Sequence, residues 1–448
     1  MLPLDIPLPP HSPDLGGLLG HRIAIGSVFE AHILISGLVS GVTQLGPITE
    51  WMGWMRRRRD YDRMAHGMAK FLIYYFAFGA FTAILLVSVL LVVLWGRLWT
   101  TITTITFWPF MVESGSFVMM VTLTYAWYYT WDLLGGFKVL HISLGALLVV
   151  ASFIQVLMID LVASYMLTPV QPSGLVSIFL NPTEVPLQIH RIIGNLAYAG
   201  YAIAALCAFL HWRTRNVENR GLYDWGVSFG LIWGTGMSLL QPAVGYEYAK
   251  EIQLHAYGAW YKMMQGDLSP AFLLQIFILG LIYLVPQVYF QHRLGLSGLG
   301  GWLMRGISIL LVLALLLAIL PYHLAFTYDQ VQAEGLSRPF WQGGLINPFG
   351  AMIPYKVIAL TAYVVLSLTG LYIYLRRLPR IRWGQTGRAF NAGLPVLSLV
   401  LVMLMIVLMG FIRENGRYPN GIAGQVQLQG QQPINQPSIG SSGVTGVP

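Results

Sequence analysis

The chain has 448 residues, of which 56% are hydrophobic and only 10% charged, and its net charge is +8. Soluble domains carry about a quarter charged residues, so this composition excludes a soluble fold and indicates an integral membrane protein. The single cysteine, Cys207, excludes an intramolecular disulfide, a cysteine-held iron–sulfur cluster and a Cys-x-x-Cys-His haem attachment.

Residues 1–20 are Pro- and Gly-rich and lack a basic stretch ahead of an apolar run, so they read as an extracytoplasmic arm rather than a cleaved signal. A spanning helix needs about 20 apolar residues, and about ten such stretches follow. They run roughly over 23–44, 68–95, 106–130, 139–166, 188–211, 224–241, 270–291, 302–322, 351–375 and 389–412. The short gaps between them predict one all-α transmembrane bundle over residues 21–420, with no internal repeat and no broken span. Arginines cluster after the first span (Arg56, Arg57, Arg58, Arg59, Arg63), the fifth (Arg213, Arg215, Arg220) and the ninth (Arg376, Arg377, Arg380, Arg382, Arg388). If every span crosses, these loops share one side. The positive-inside rule makes that side cytoplasmic and puts both termini outside. The positive charge therefore reports topology and not nucleic-acid binding.

The first span carries His32 ten residues after Arg22, about 15 Å further along a helix. An ionisable group at that depth is costly and needs a partner, so it is a functional candidate. It is either hydrogen-bonded to a neighbouring helix or a ligand, and imidazole is the usual proximal ligand of haem iron. Glu113 opens the third span among Trp108, Pro109, Phe110, Met111 and Val112, as an iron ligand, a proton donor or a polar residue near the outer lip. His141 begins the fourth span at its cytoplasmic end, and Gln155 and Asp160 lie deeper in it. Asp160 and His141 are candidates for a proton path, or else buried and interfacial polar residues.

The loop over 167–187, with Pro169, Pro172 and Pro182, is predicted irregular. His190 then opens a fifth span of small residues. Two histidines on separate spans point to iron porphyrins held between helices. The segment 242–269 and the loop 323–350, with His323, are polar and predicted to lie outside. Directly after the last span come Glu414 and Arg417, an acid and a base three residues apart. Arginine offers bidentate contact to a carboxylate such as a haem propionate, although a polar stop after a span is the simpler reading. The tail 421–448 is low-complexity and predicted extended, or ordered only against a partner.

Together these motifs resemble the large subunit (subunit I) of cytochrome bd-type quinol oxidases. In that family an arginine precedes the first-helix histidine by ten residues, as Arg22 precedes His32. A Leu-Asn-Pro stretch precedes the fifth-helix histidine, as Leu180, Asn181 and Pro182 precede His190. The family's third-helix glutamate corresponds to Glu113, with Trp131 and Asp132 near that helix's end. Its Glu-x-Gly-Arg-Gln-Pro-Trp signature stands here as Glu414, Asn415, Gly416, Arg417, Tyr418, Pro419 and Asn420, and Ser164–Pro169 is a weakened version of its fourth-helix motif. The resemblance covers roughly 20–247 and 350–420.

The resemblance implies haem b, and a haem d alongside it, with two or three haems in all. It makes His32, Glu113 and Glu414 the ligand set of a paired-haem oxygen site and His190 the ligand of a low-spin haem. Arg22 and Arg417 would neutralise propionates or hold the acids. It also implies a bilayer of a prokaryotic cytoplasmic membrane and a second membrane subunit. Several positions depart from the family. The low-spin haem's methionine falls at Ile358, which leaves Met352 or His323 as substitute ligands, or a haem that is five-coordinate or absent. The second third-helix acid is replaced by Met120 and Val121, and the region 242–350 that holds the quinol loop is altered by two extra spans. Reduction of dioxygen to water is then expected with electrons from outside, from a cytochrome c or another redox subunit rather than quinol. Two other readings are an electron-transfer or anchor subunit that no longer reduces oxygen, and a haem-free transporter, which the absence of repeats and broken spans disfavours.

Overall fold

The computed structural model describes residues 16–170, 178–264, 266–299, 301–320, 354–384, 387–423 and 426–427. These are helical almost throughout, because lipid offers backbone groups no hydrogen-bond partner and a helix pairs them internally. The substitute ligands Met352 and His323 lie outside the described residues. The chain divides into two compact units, one of residues 1–192 with 413–448 and one of residues 193–412.

The first unit begins with α1 (Gly17–Arg56), which keeps its helix through Pro47 and ends at Arg57 in the left-handed region, φ 52°. Helix α2 (Arg59–Ile84) continues through a π-helical stretch, Leu85–Leu91, and a last turn, Val92–Leu94. Next come α3 (Gly96–Ile105), α4 (Phe107–Tyr129) and α5 (Lys138–Leu167). The α3–α4 pair is bent by 84° at Thr106. That elbow corrects the expectation of unbroken spans. Thr106 is fully buried there and turns its hydroxyl onto the Ile102 carbonyl at 2.6 Å, so the polar group at the break is satisfied internally.

Small residues let these helices approach closely. A Cβ at Gly145 of α5 would stand 2.8 Å from Pro47 of α1, and one at Gly46 of α1 would stand 2.8 Å from the Trp127 ring of α4. After the elbow, Leu98 and Ile102 of α3 pack with Val162 and Tyr165 of α5 and with Ile422. Ile422 belongs to β1 (Asn420–Ile422), which pairs antiparallel with β2 (Val426–Gln427), and directly after β1 Ala423 N–H donates to the Met166 carbonyl at 3.1 Å. The start of the tail is thus ordered against the end of α5.

Helix α6 (Glu184–Arg213) starts in the first unit and continues in the second. Then follow α7 (Val217–Ser238), α8 (Gln241–His255), α9 (Tyr257–Met264), α10 (Ser269–Leu296), α11 (Trp302–Ile319), α12 (Pro354–Arg377) and α13 (Arg388–Gly416), whose last turn returns to the first unit. Among the described residues, eight helices are long and apolar enough to cross a membrane, or nine with the bent α3–α4 pair. Helix α7 holds most of the sixth stretch read from the sequence, 224–241, and is not among these candidate spans. Its packing nevertheless carries it across the second unit. Asp224 near its start pairs with Arg293 at the end of α10 (3.1 Å) and accepts from Gly384 N–H beyond α12 (2.7 Å). Ser238 at its other end offers its carbonyl to the Tyr283 hydroxyl of α10 at 2.7 Å. Gly200, Gly230 and Gly234 bring α6 and α7 together so closely that a Cβ on Gly200 would fall 2.4 Å from the Gly234 nitrogen.

Candidate functional site

His32 sits half-buried on α1, with Nδ1 3.0 Å from the Thr82 hydroxyl on α2. The single Thr82 proton is engaged by its own helix, toward the Phe78 and Gly79 carbonyls at 3.1 and 3.0 Å. With that proton turned to its own helix, the hydroxyl oxygen accepts from His32 Nδ1, and the ring then keeps its Nε2 lone pair for a ligand. Ligating histidines carry this kind of support from a second residue, which sets the tautomer and ring orientation. Sequence reading missed Thr82, since only the approach of α1 and α2 joins residues fifty apart.

Glu113 is half-buried on α4 and accepts from Gln155 of α5 at 3.3 Å through Oε1. The sequence placed Glu113 in the site and noted Gln155 only as a neighbour of Asp160 on the fourth span, and the structure brings the two together. At the end of α13, Arg417 donates to Glu414 and, at 3.0 Å, to the Gly421 carbonyl. Arg22 of α1 donates to Asn415 and lies 4.0 Å over the Tyr418 ring. Arg417 thus holds the acid directly, while Arg22 holds the turn that carries it. Glu30, two residues before His32 on α1 and not singled out by sequence, is in electrostatic range of Glu414.

The Asn181-Pro182 motif fixes the start of α6. Asn181 Nδ2 donates to the Thr168 carbonyl, and its Oδ1 accepts from the Thr168 hydroxyl, both at 2.7 Å. This clasp ties the end of α5 to the turn before α6, eight to nine residues ahead of His190. Asp160 of α5 is fully buried, and Arg191 Nε lies 2.8 Å from its Oδ1. Arg191 directly follows His190 in the sequence, yet sequence reading passed over it.

His141 does not join Asp160. The two are nineteen residues apart on α5, about 28 Å along the helix. His141 is buried in a separate cluster, with Nδ1 2.6 Å from Glu50 Oε1 and Nε2 donating to the Trp127 carbonyl at 2.8 Å. Glu50 also accepts from Trp127 Nε1 at 2.7 Å and meets Lys138 at 2.6 Å, and Lys138 reaches Asp62 at 2.6 Å. Interfacial exposure, the simple reading of His141, gives way to a buried ion network because Glu50 of α1 is fully buried beside it.

Among the described residues no group of three or more His, Cys, Asp or Glu could hold a bare metal ion. The candidate donors are single side chains on separate helices. That donor set fits porphyrin iron, which takes one or two axial protein ligands, better than a bare transition metal, which takes three or four. The supported Nε2 of His32 fits the same group. At the position of the family's second ligand, Ile358 is exposed, whereas Lys356 is buried and donates to the Ala318 carbonyl at 3.1 Å. Met120, at the position of the second third-helix acid, is also buried.

The family model described as cytochrome bd terminal oxidase subunit I matches residues 21–257, more than half of the chain. The chain belongs to that family. The match takes in His32, Glu113 and His190 of this bd subunit I-like chain, and Glu414 and Arg417 lie beyond it. Among solved structures, the fold is similar to that of the bd oxidase from Geobacillus thermodenitrificans, with a TM-score of 0.50 at 14% identity, over 89% of this chain and 97% of that one. No curated protein sequence matches the chain.

Proposed function

We propose that this chain is a haem-binding subunit that reduces dioxygen to water in a prokaryotic cytoplasmic membrane, beside a second membrane subunit. The observation that carries the reading is the His32 ring on α1, held through Nδ1 by the Thr82 hydroxyl of α2. His32, Glu113 and Glu414 would hold the paired-haem site, and His190 the haem that receives electrons. A bound haem supplies redox-active iron and the place where dioxygen binds. The protein's part is to fix ligands on rigid helices. Thr82 sets the His32 tautomer, Arg417 fixes the Glu414 carboxylate, and Gln155 holds one oxygen of Glu113. Glu113 can hold or pass a proton at its other oxygen. Electrons are proposed to arrive from the outer side, from a cytochrome c or a redox subunit, since the region 242–350 departs from the family's quinol loop.

A second reading is an electron-transfer or anchor subunit that keeps haem without reducing oxygen. The exposed Ile358 and the buried Met120, where the family has a ligand and an acid, favour it. A reduced-minus-oxidised spectrum with haem extraction tests the common part. Two or three haems are expected, and a haem-free protein would overturn both readings in favour of a transporter. Oxygen consumption with an artificial electron donor separates the first two, and oxygen reduction is the expected result.

A further inference from the structure

Arg191 is a cation within electrostatic range of two of the candidate iron ligands, His190 and His32. It follows His190 on α6, so its side chain leaves the helix about 100° around from the imidazole. It reaches the fully buried Asp160 of α5, with Nε 2.8 Å from Oδ1. Besides His190, it is in electrostatic range of His32 on α1. The other charged groups around the pair are Glu184 of α6 and Arg413 of α13. Arginine stays charged in any protein environment, so the cation is permanent. In a lipid-embedded interior, screening by water and salt is weak and such a charge acts over a long range.

We infer that the Asp160–Arg191 ion pair is a positioning element that jointly sets the electron affinity of the His32 and His190 iron sites. It rests on the haem ligation proposed above. A cation near iron favours the reduced state, and the Asp160 carboxylate offsets that cation. The balance of the pair, rather than either charge alone, then fixes how readily both sites accept an electron. With Arg191 in range of both histidines, the two sites are tuned in step.

The test is a spectroelectrochemical titration of the purified full-length protein and its variants, with haem counted by extraction. Asp160→Asn leaves the cation unbalanced. It should raise the reduced-to-oxidised ratio of both sites at the parent's midpoint about tenfold, the effect of roughly 1.4 kcal/mol. Arg191→Gln should lower the ratio by a similar factor. The double variant should return near the parent, and Arg191→Lys, which keeps the charge, should stay there. Shifts of the same sign in the two single variants, or no shift, overturn the inference. So does loss of haem from either single variant, because the pair is then structural. A parent protein without extractable haem instead overturns the proposed function, which keeps the two failures distinct.

Discussion

His32 depends on Thr82 for its tautomer, and this gives the sharpest single-residue expectation. Thr82→Val keeps shape and volume but removes the acceptor at Nδ1, so haem affinity at that site should fall about 10- to 100-fold. His32→Ala should abolish it. Titration of the apoprotein with haem measures both, and equal binding by Thr82→Val and the parent would remove the hydroxyl from the site. Glu50 gives a second expectation. Its carboxylate balances Lys138 and is met by Trp127 and His141 while fully buried. Glu50→Ala leaves Lys138 its pairing with Asp62 but takes the buried acceptor from Trp127 and His141, and should cost about 1–3 kcal/mol of stability, read by denaturation in detergent. A loss below about 1 kcal/mol would mean that water takes the place of the carboxylate. At this scale His32, Glu113, His190 and Glu414 were legible in the sequence because ionisable groups inside apolar runs stand out one at a time. Thr82, Glu30 and Arg191 were not. A threonine or a span-end charge is unremarkable in one dimension and gains meaning only from the helix it faces.

Between helices, glycine sets how closely they approach. Gly145 admits Pro47, and a leucine there would overlap the proline ring. Gly145→Leu should separate α1 from α5 and destabilise the first unit by about 1–3 kcal/mol, seen as a lower Tm. An unchanged Tm would mean that the helices can slide apart without loss. The spans themselves were readable, since sustained hydropathy is a local property. The elbow at Thr106 was not, because it falls at the edge of the stretch read as 106–130, and the threonine-rich residues of α3 before it gave no span of their own. Helix α7 shows the reverse case. Its composition is too polar for a span, and its two ends are fixed instead by Asp224 and Ser238 against α10.

Across the whole molecule, orientation follows from charge together with crossing number. The arginine-rich loops after α6 and α12 fall on one side only if α7 crosses, and Asp224 near the start of α7 meets Arg293 at the end of α10 and Gly384 beyond α12. Residues Arg58, Arg215 and Arg380 should therefore be cytoplasmic, and Asn420 outside. Single cysteines at these positions, placed in a Cys207→Ser background, should react with an impermeant thiol reagent from those sides. Labelling of Arg215 and Arg58 positions from opposite faces would break the ten-crossing topology. The family was legible from a handful of spacings, Arg22 to His32 and Asn181 to His190 among them. The altered region 242–350 and the Ile358 position resist the same reading because they depart from the pattern that makes the rest recognisable.

The π-helical stretch Leu85–Leu91 lies just past Thr82 and just before the α3–α4 elbow. A π turn holds an extra residue, so the face presented afterwards is rotated relative to the face before it. Deleting one residue, such as Val89, would let the stretch relax to ordinary α-helix while leaving the Thr82 contact to His32 upstream untouched. The cost would emerge downstream, where Leu98 and Ile102 would swing away from Val162 and Tyr165 and unseat the strand that holds Ile422. This surplus residue works as a phase adjuster, turning the last turns of the Arg59–Leu94 rod before the break at Trp95 sets the direction of α3.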